Sequence, residues 1–533
     1  MKFRTLYELD SSEGTVQLVD STDHHATHAE HLGNKDIILV PQPSTDPNDP
    51  LLWAQWKKIV VFVNVCTFAF LGNANIGGLS PGFSEIAEEF NLTPATASKL
   101  ITTTILVLGC SNFFWTPMAI WLGKRPIFII ATLIFFITNI WAMESTTFGS
   151  LLGSVNVAAF ACGSTEALGA AIVNDLFFLH ERGSKMGIYL IFLSLGSSMG
   201  PLCGGFIIEN CGWIWFKRVL AIFSGVNFAS VLLFCPETRF FRPVIVPTPC
   251  NTANETSDKT ADAPGLEKSD NVAVHEEATR HSIPPKKTYF ETLTPWSGIN
   301  PDGNLLRILL RPLPLIFYPA NLFATVAYAA SLAWIVILAS NISFLLSSPP
   351  WSFSPSIIGL VNLPTLIGNL LGALFTGWPA DKYTQWRARR SGGVFEPETR
   401  LVFMWLPGLV VPAGCLMYGF GAQDQMSWPI IFIGAGCVGV GLTAVANVSM
   451  TYAVDSYYPI SAESLLVING VKNILAYGMS TDGTVWIQNQ GYKNAFGTMG
   501  GITAAVLLFA VPLAVCGRRV RHYSSNHMRL ILE

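Results

Sequence analysis

The sequence has little charge and no pattern that would carry enzymatic chemistry. Only 13% of its 533 residues are charged, and the net charge is −3. The basic residues are scattered, which argues against a nucleic-acid partner. The chain also lacks a Walker-type phosphate loop and a paired nucleophile and base. We therefore expect neither ATP-driven pumping nor an enzyme.

Patterns for metal binding, disulfides and secretion are missing as well. The ten cysteines occur singly, most of them within apolar runs, and we identify no cluster of histidines as a metal site. We interpret the cysteines as small buried residues and expect no metal and no cofactor. The first 55 or so residues are polar and carry no charged-then-apolar signal. The first apolar run must therefore direct insertion itself.

Long apolar runs fill most of the chain, and half of its residues are hydrophobic. A bilayer core needs about 20 apolar residues per helix, and we count about twelve such runs. Their limits are 58–79, 97–121, 126–143, 148–172, 185–208, 216–235, 313–340, 355–378, 400–420, 428–453, 462–484 and 495–516. The sequence thus predicts an all-α membrane protein with twelve transmembrane helices.

A polar stretch of mixed charge divides these runs into two sets of six. We expect a disordered tail over 1–56, a six-helix bundle over 57–235, a partly disordered linker over 236–312, a second bundle over 313–516 and a tail over 517–533. A shift of 280 residues superposes Asp175 on Asp455 and brings small residues of the two halves into register. Two pseudo-symmetric bundles around a central cavity are typical of secondary transporters.

Loop charges set the expected orientation. Lys and Arg collect on the side that holds the N-terminus, so we expect both termini and the linker to be cytosolic. The sequons at Asn91 and Asn341 then fall on the outer face and are predicted glycosylation sites. We expect a monomer that resides in the plasma membrane.

One stretch, "GIYLIFLSLGSSMGPLCGG" at 187–205, concentrates glycine and proline inside an apolar run. Gly196, Gly200 and Gly204 share one helix stripe, which permits close approach of another helix in lipid. Pro201 removes a backbone hydrogen bond and bends the helix. We expect a bent, tightly packed helix at the contact between the two halves.

The same stretch resembles a family motif. Its spacing G-x8-G-x3-G-P-x2-G-G is similar to the antiporter signature of the major facilitator superfamily and is satisfied by Gly187, Gly196, Gly200, Pro201, Gly204 and Gly205. "DLFFLHERGSKMGIY", "GGVFEPETRL" and "YAVDSYYPISAES" resemble the fungal branch of twelve-span drug:proton antiporters. The resemblance covers about residues 50 to 520. It implies the major facilitator fold and export in exchange for protons, the expected coupling ion.

The chain departs from the family pattern at two places. The loop between the second and third spans usually carries Gly-x3-Asp-Arg-x-Gly-Arg-Arg, of which only Gly123, Lys124 and Arg125 are present. The fourth span lacks the Arg that many proton-coupled relatives carry. The resemblance therefore supports the fold more strongly than it supports proton coupling.

Charged residues inside spans are candidates for coupling, because a charge in lipid is costly unless it faces a cavity or a partner. Glu166 lies in the fourth span and is a candidate to bind protons or substrate; the alternative is a carboxyl that fixes helix packing. Lys472, in the eleventh span, could neutralise a carboxylate such as Glu166 or attract an anionic substrate; the alternative is a structural role. Asp482 is a third candidate and could simply be solvated.

Charged residues at cytosolic helix ends suggest a gate. We expect charge-assisted bonds between helix termini that hold the inner side shut. The set comprises Lys124, Arg125, Asp175, Glu181, Arg182, Asp381, Lys382, Asp455 and Glu463.

A further set of polar and aromatic residues lies in spans one, four, seven and ten, which line the cavity in the family that the motif resembles. These residues offer hydrogen bonds and aromatic surface for a mostly apolar organic molecule. They are Asn73, Asn75, Asn156, Tyr328, Trp334, Asn447 and Tyr452.

Three functions compete. The leading hypothesis is an exporter of small organic molecules, such as a drug, toxin or secondary metabolite, with alternating access. The second is a proton-coupled importer of a nutrient or polyamine. The third is a membrane receptor that transports nothing.

Overall fold

The computed structural model describes residues 16–17, 46–177, 179–238, 288–294, 309–390, 394–457 and 460–532. Its apolar runs form helices because a chain in lipid must satisfy its backbone hydrogen bonds internally. Twelve main helices of the described chain are numbered here in order. They are α1 Gln55–Gly77, α2 Lys99–Leu122, α3 Lys124–Met143, α4 Phe148–Leu176, α5 Leu179–Cys211, α6 Trp213–Phe234, α7 Pro319–Ser347, α8 Asn362–Thr376, α9 Trp405–Gln423, α10 Trp428–Ser456, α11 Ser461–Ser480 and α12 Gly483–Leu508.

Eleven stretches of the described residues are long and apolar enough to cross a membrane. The helix outside that set is α11, which nevertheless packs against α2 and α7 inside the bundle. The arrangement therefore agrees with the predicted twelve spans.

Shorter elements connect the main helices. Helical segments are Phe83–Glu89, Pro94–Ala97, Tyr289–Thr292, Pro355–Leu360, Trp378–Arg390 and Ala510–Leu532, and 3-10 turns are Pro50–Leu52, Ser80–Gly82, Leu313–Phe317 and Pro397–Met404. Two short strands, β1 Val16–Gln17 and β2 Val394–Phe395, pair antiparallel with Val16 opposite Phe395.

The helices form two halves, α1–α6 and α7–α12. We call the face where α1 begins proximal and the opposite face distal. Within the N-terminal half α4 packs on α1, α2 and α3; within the C-terminal half α10 packs on α7, α8 and α9. Among the numbered helices, the two most extensive contacts between the halves are α2 with α11 and α5 with α8. These two pairs exchange when one half is superposed on the other, as the predicted pseudo-symmetry requires.

The last predicted span, 495–516, is divided between two helices, α12 and Ala510–Leu532. α12 breaks at Gly491, whose φ of 77° favours glycine. Before the break Gly483 packs on Ile337 of α7, whereas the segment after it packs on α9. Helix Ala510–Leu532 then continues through residues that we expected to form a tail.

The glycine stripe of α5 does not lie between the halves, which corrects that expectation. A Cβ atom on Gly196, Gly200 or Gly204 would lie 2.2–2.6 Å from the nearest backbone atom of α1 or of its C-cap residue Gly78, in the same half. Gly205 instead faces the other half, where its Cβ would lie 2.4 Å from the carbonyl oxygen of Pro355. The motif therefore serves packing within the N-terminal half, and its last glycine serves the contact between halves.

Candidate functional site

An ion pair between α4 and α11 joins the two halves. Lys472 Nζ of α11 lies 3.0 Å from Glu166 Oε1 of α4. The lysine side chain is 2% exposed and the glutamate side chain 12% exposed. Of the two partners, the carboxylate is therefore the one that solvent or a ligand can reach.

Two amides complete the surroundings of Glu166. Asn112 of α2 donates its Nδ2 hydrogen to Glu166 Oε2 at 2.9 Å, and Asn473 of α11 donates to the same oxygen at 3.1 Å. Lys472 also donates to Asn473 Oδ1 at 3.2 Å, and its Nζ lies 4.7 Å from the ring centre of Tyr328 on α7. The cluster of Glu166, Lys472, Asn112, Asn473 and Tyr328, called here the central cluster, thus draws on four helices.

Glycines allow α2 and α11 to approach closely enough for this contact. A Cβ atom on Gly109 would lie 2.8 Å from the carbonyl oxygen of Gly470, and one on Gly470 would lie 2.4 Å from the ring of Phe113. Such close approach is a main source of helix packing in lipid. It places the functional groups of opposite halves within hydrogen-bond reach.

Asp482, the third candidate for coupling, is not part of the central cluster. It stands in the turn between α11 and α12, at the N-cap of α12, and its side chain is exposed. The structure therefore brings together two of the three candidates.

The distal ends of the two halves are in direct contact. Ser84 and Ser343 of α7 share a hydrogen bond of 3.1 Å, and Ser343 also donates to the carbonyl oxygen of Pro81 at 2.9 Å. Glu209 of α5 accepts the backbone N–H of Ser356 at 3.0 Å. With the close approach of Gly205 to Pro355, these contacts form a distal seam that closes this side.

Several of the residues predicted to form an inner gate do make ion pairs at the proximal helix ends, and each pair lies within one half. Lys124 at the start of α3 pairs with Asp175 at the end of α4. Arg400 bonds to Asp455 of α10 at 2.7 Å and to Asp381 at 2.8 Å. The two networks occupy equivalent places in the two halves, because each fixes the loop between two helices that are neighbours in the chain.

The other predicted gate residues lie apart. Arg125 donates to the carbonyl oxygen of Leu232 in its own half, and Lys382 lies 3.8 Å over the ring of Trp378. Glu463 is partly exposed in the first turn of α11. The side chains of Glu181 and Arg182 lie outside the described residues.

Three of the predicted cavity residues pack between helices in this structure. Asn75 accepts a hydrogen bond from Lys217 of α6, and Trp334 donates to Thr503 of α12 at 2.7 Å. Tyr452 is 2% exposed within a cluster of apolar residues. These three correct the cavity set, because none of them faces open space here.

The remaining predicted cavity residues are half-buried. Asn73 bonds to its own helix, Asn156 accepts a hydrogen bond from Thr103, and Asn447 donates to Thr376. Tyr328 belongs to the central cluster and is the one of this set that contacts the ion pair.

The two sequons differ in placement. Asn91 is exposed in the distal turn between α1 and α2, with φ 51°. Asn341 is 4% exposed within α7 and donates to the carbonyl oxygen of Ile337. A glycan at Asn341 is incompatible with that burial, so the predicted glycosylation at Asn341 is wrong.

Sequence reasoning missed several partners. Asn112 and Asn473 were not singled out, although an amide next to a charged residue within a span, as in Lys472–Asn473, is a usable signal. A buried ion pair of Arg521 with Glu398, at 3.2 Å, was also missed. It ties helix Ala510–Leu532 to the 3-10 turn Pro397–Met404 that precedes α9.

Comparison with known proteins identifies the family. The model of the Major Facilitator Superfamily matches residues 64–471. The chain belongs to the Major Facilitator Superfamily. It is therefore a multi-pass membrane transporter and not an enzyme.

Two fungal relatives of this superfamily protein match along most of their length. An MFS-type transporter of Schizosaccharomyces pombe is 25% identical over 98% of this chain and 94% of its own. The efflux pump radE of Floropilus chiversii is 24% identical over 91% of this chain and 85% of its own. The crystal structure of the human organic anion transporter MFSD10 is 15% identical, with a TM-score of 0.54, over 85% of this chain and 99% of its own. That last likeness concerns the fold alone.

Proposed function

We propose that this transporter exports small organic molecules in exchange for protons, by alternating access of a central site to the two faces. The observation that carries the proposal is the Glu166–Lys472 ion pair, which joins opposite halves away from the ends of their helices. The likeness to a relative named as an efflux pump supports the direction. Plasma-membrane residence, cytosolic termini and a monomer belong to the same proposal.

The ion pair gives a physical reason why protons and movement would be linked. A buried pair is stable only while both members are charged, because a single buried charge is strongly unfavourable. A proton on Glu166 cancels its charge and removes the counter-ion of Lys472. The cross-half contact therefore weakens when Glu166 is protonated, and the two halves can then rock about it.

The amides of Asn112 and Asn473 hold the Glu166 carboxylate in position. Both donate to Oε2, while Lys472 contacts Oε1. Two of the three donors come from the C-terminal half, so most of the hydrogen bonding of the carboxylate is lost if the halves separate at α2 and α11. Substrate binding near Tyr328 would compete for the same groups.

The test compares cells and medium by untargeted mass spectrometry. A null strain and an overproducing strain are each grown with and without a protonophore. A compound that moves to the medium only with the active protein, and stays in the cells when the protonophore is present, supports proton-driven export. A compound that accumulates in the cells instead indicates import. No shift of any compound contradicts transport and favours a receptor.

A further inference from the structure

A buried lysine lies in the N-terminal half, apart from the central cluster. Lys217 of α6 is 1% exposed, and its Nζ donates to Asn75 Oδ1 of α1 at 2.6 Å. Asn75 is also 1% exposed, and its Nδ2 has no hydrogen-bond partner among the described residues. Within the same described part of the chain, no carboxylate lies within ion-pair distance of Lys217.

The helices next to Lys217 place few ionisable groups near its ammonium group. On α4 the thiol of Cys162 is the ionisable group that faces it. On α5 the ionisable Glu209 contacts the C-terminal half across the distal seam. The charged residues of α3 lie at its proximal end, where the helix starts with Lys124. An ammonium ion at this place would therefore have one neutral acceptor, which is a costly state for a buried charge.

Packing on the distal side separates Lys217 from solvent. A Cβ atom on Gly78 of α1 would lie 2.0 Å from the ring of Phe216, so this ring sits directly on the α1 backbone. One turn nearer the distal end, Trp213 donates to Glu89 at 2.6 Å. Both contacts join α6 to the segment that also carries Pro81 and Ser84 of the distal seam. Opening the seam would loosen them together.

We propose that Lys217 is a second protonation site that responds to the conformation of the distal seam. It is a neutral amine while the seam is closed and an ammonium ion when the seam is open. The proton comes from distal solvent on opening and returns to it on closing, so this step moves no proton across the membrane. Acid on the distal side therefore favours the open seam. The proposal rests on the rocking motion of the proposed function but involves a group other than Glu166.

The test measures the width of the distal seam in the purified full chain. Spin labels are placed at Asn91→Cys and Ser427→Cys, exposed distal positions in opposite halves, after the exposed Cys110, Cys203, Cys211 and Cys516 are replaced by serine. Distances are recorded by pulsed electron spin resonance from pH 6 to pH 9. The ratio of open to closed molecules should fall as pH rises, by at most about tenfold per pH unit.

Three variants isolate the role of Lys217. Lys217→Met should lose the part of the pH response that Lys217 carries and should open less at low pH than the wild type does. Asn75→Asp supplies a carboxylate that keeps the ammonium ion in both states, so it should lose the same part of the response. Glu166→Gln should keep that part, because Lys217 is unchanged.

The possible failures point to different conclusions. A full pH response in Lys217→Met overturns the assignment of Lys217 and leaves the rocking motion intact. One closed distance at every pH in every variant overturns the protonation site and contradicts the proposed function as well. Loss of the response in Glu166→Gln assigns it to the central cluster and also overturns the proposal.

Discussion

Lys472 Nζ lies 3.0 Å from Glu166 Oε1, although the two residues belong to opposite halves and are 306 positions apart. Each is a charged residue in a helix that spans the membrane, where a charge is tolerated mainly when it faces a partner or a cavity. The pair therefore satisfies both charges at the contact between halves. It makes the stability of that contact depend on the charge of both partners.

Removing one member of the pair should cost more stability than removing both. Lys472→Met leaves Glu166 without its counter-ion and should destabilise the protein by about 3–5 kcal/mol. The double variant Glu166→Gln/Lys472→Met leaves no buried charge and should unfold at a higher temperature than Lys472→Met. Thermal unfolding of the purified protein measures both. The exposed Asp482→Asn is the control and should change stability by less than about 0.5 kcal/mol. A double variant that unfolds at a lower temperature than Lys472→Met would contradict the ion pair.

Two glycines of the motif should differ in their response to one added methyl group. In Gly205→Ala the new Cβ would lie 2.4 Å from the carbonyl oxygen of Pro355, so the distal seam must shift. In Gly187→Ala nothing lies within 4 Å of the new Cβ. The distance between labels at Asn91→Cys and Ser427→Cys should lengthen in the first variant and stay unchanged in the second. Equal distances in both variants would show that Gly205 does not contact Pro355 across the distal seam.

Two arginines of the last helix, Arg518 and Arg521, should contribute unequally to stability. Arg521 and Glu398 are 2% and 7% exposed, so Arg521→Met leaves a buried carboxylate and should cost about 3 kcal/mol. Arg518 bonds to Glu396, which is 34% exposed, so Arg518→Met should cost about 0–1 kcal/mol. Unfolding temperatures of the two variants measure this difference. Equal losses would show that Arg521 does not hold the last helix to the 3-10 turn Pro397–Met404.

Glycosylation should distinguish the two sequons. Asn91 is exposed in a distal turn, whereas Asn341 is buried within α7. If the distal face is the outer one, Asn91→Gln should abolish the shift in electrophoretic mobility that a glycosidase produces. Asn341→Gln should leave that shift unchanged. A glycan that survives Asn91→Gln would contradict the assigned orientation or the burial of Asn341.

Local pattern predicted the helices and the charged candidates, because both depend on the cost of polar groups in lipid. It indicated Glu166 and Lys472 and offered each as a partner for the other. It did not predict which helix meets the glycine stripe of α5, since spacing along one helix defines a face but not its neighbour. For the same reason it indicated that Asp175 and Asp455 bond at helix ends but not to which residues, and both partners lie within the same half.

Export measured at two external pH values tests directly whether Glu166 carries the proton. Strains carry the wild-type chain, Glu166→Gln or the control Asp482→Asn, and the compound identified by comparing the media is quantified at pH 5 and pH 7. Export should be faster at pH 5 for the wild type and for Asp482→Asn. Glu166→Gln should export more slowly than the wild type and gain less from pH 5, or should not export at all. Export by Glu166→Gln that is as fast as in the wild type, and equally faster at pH 5, would contradict the claim that Glu166 carries the proton.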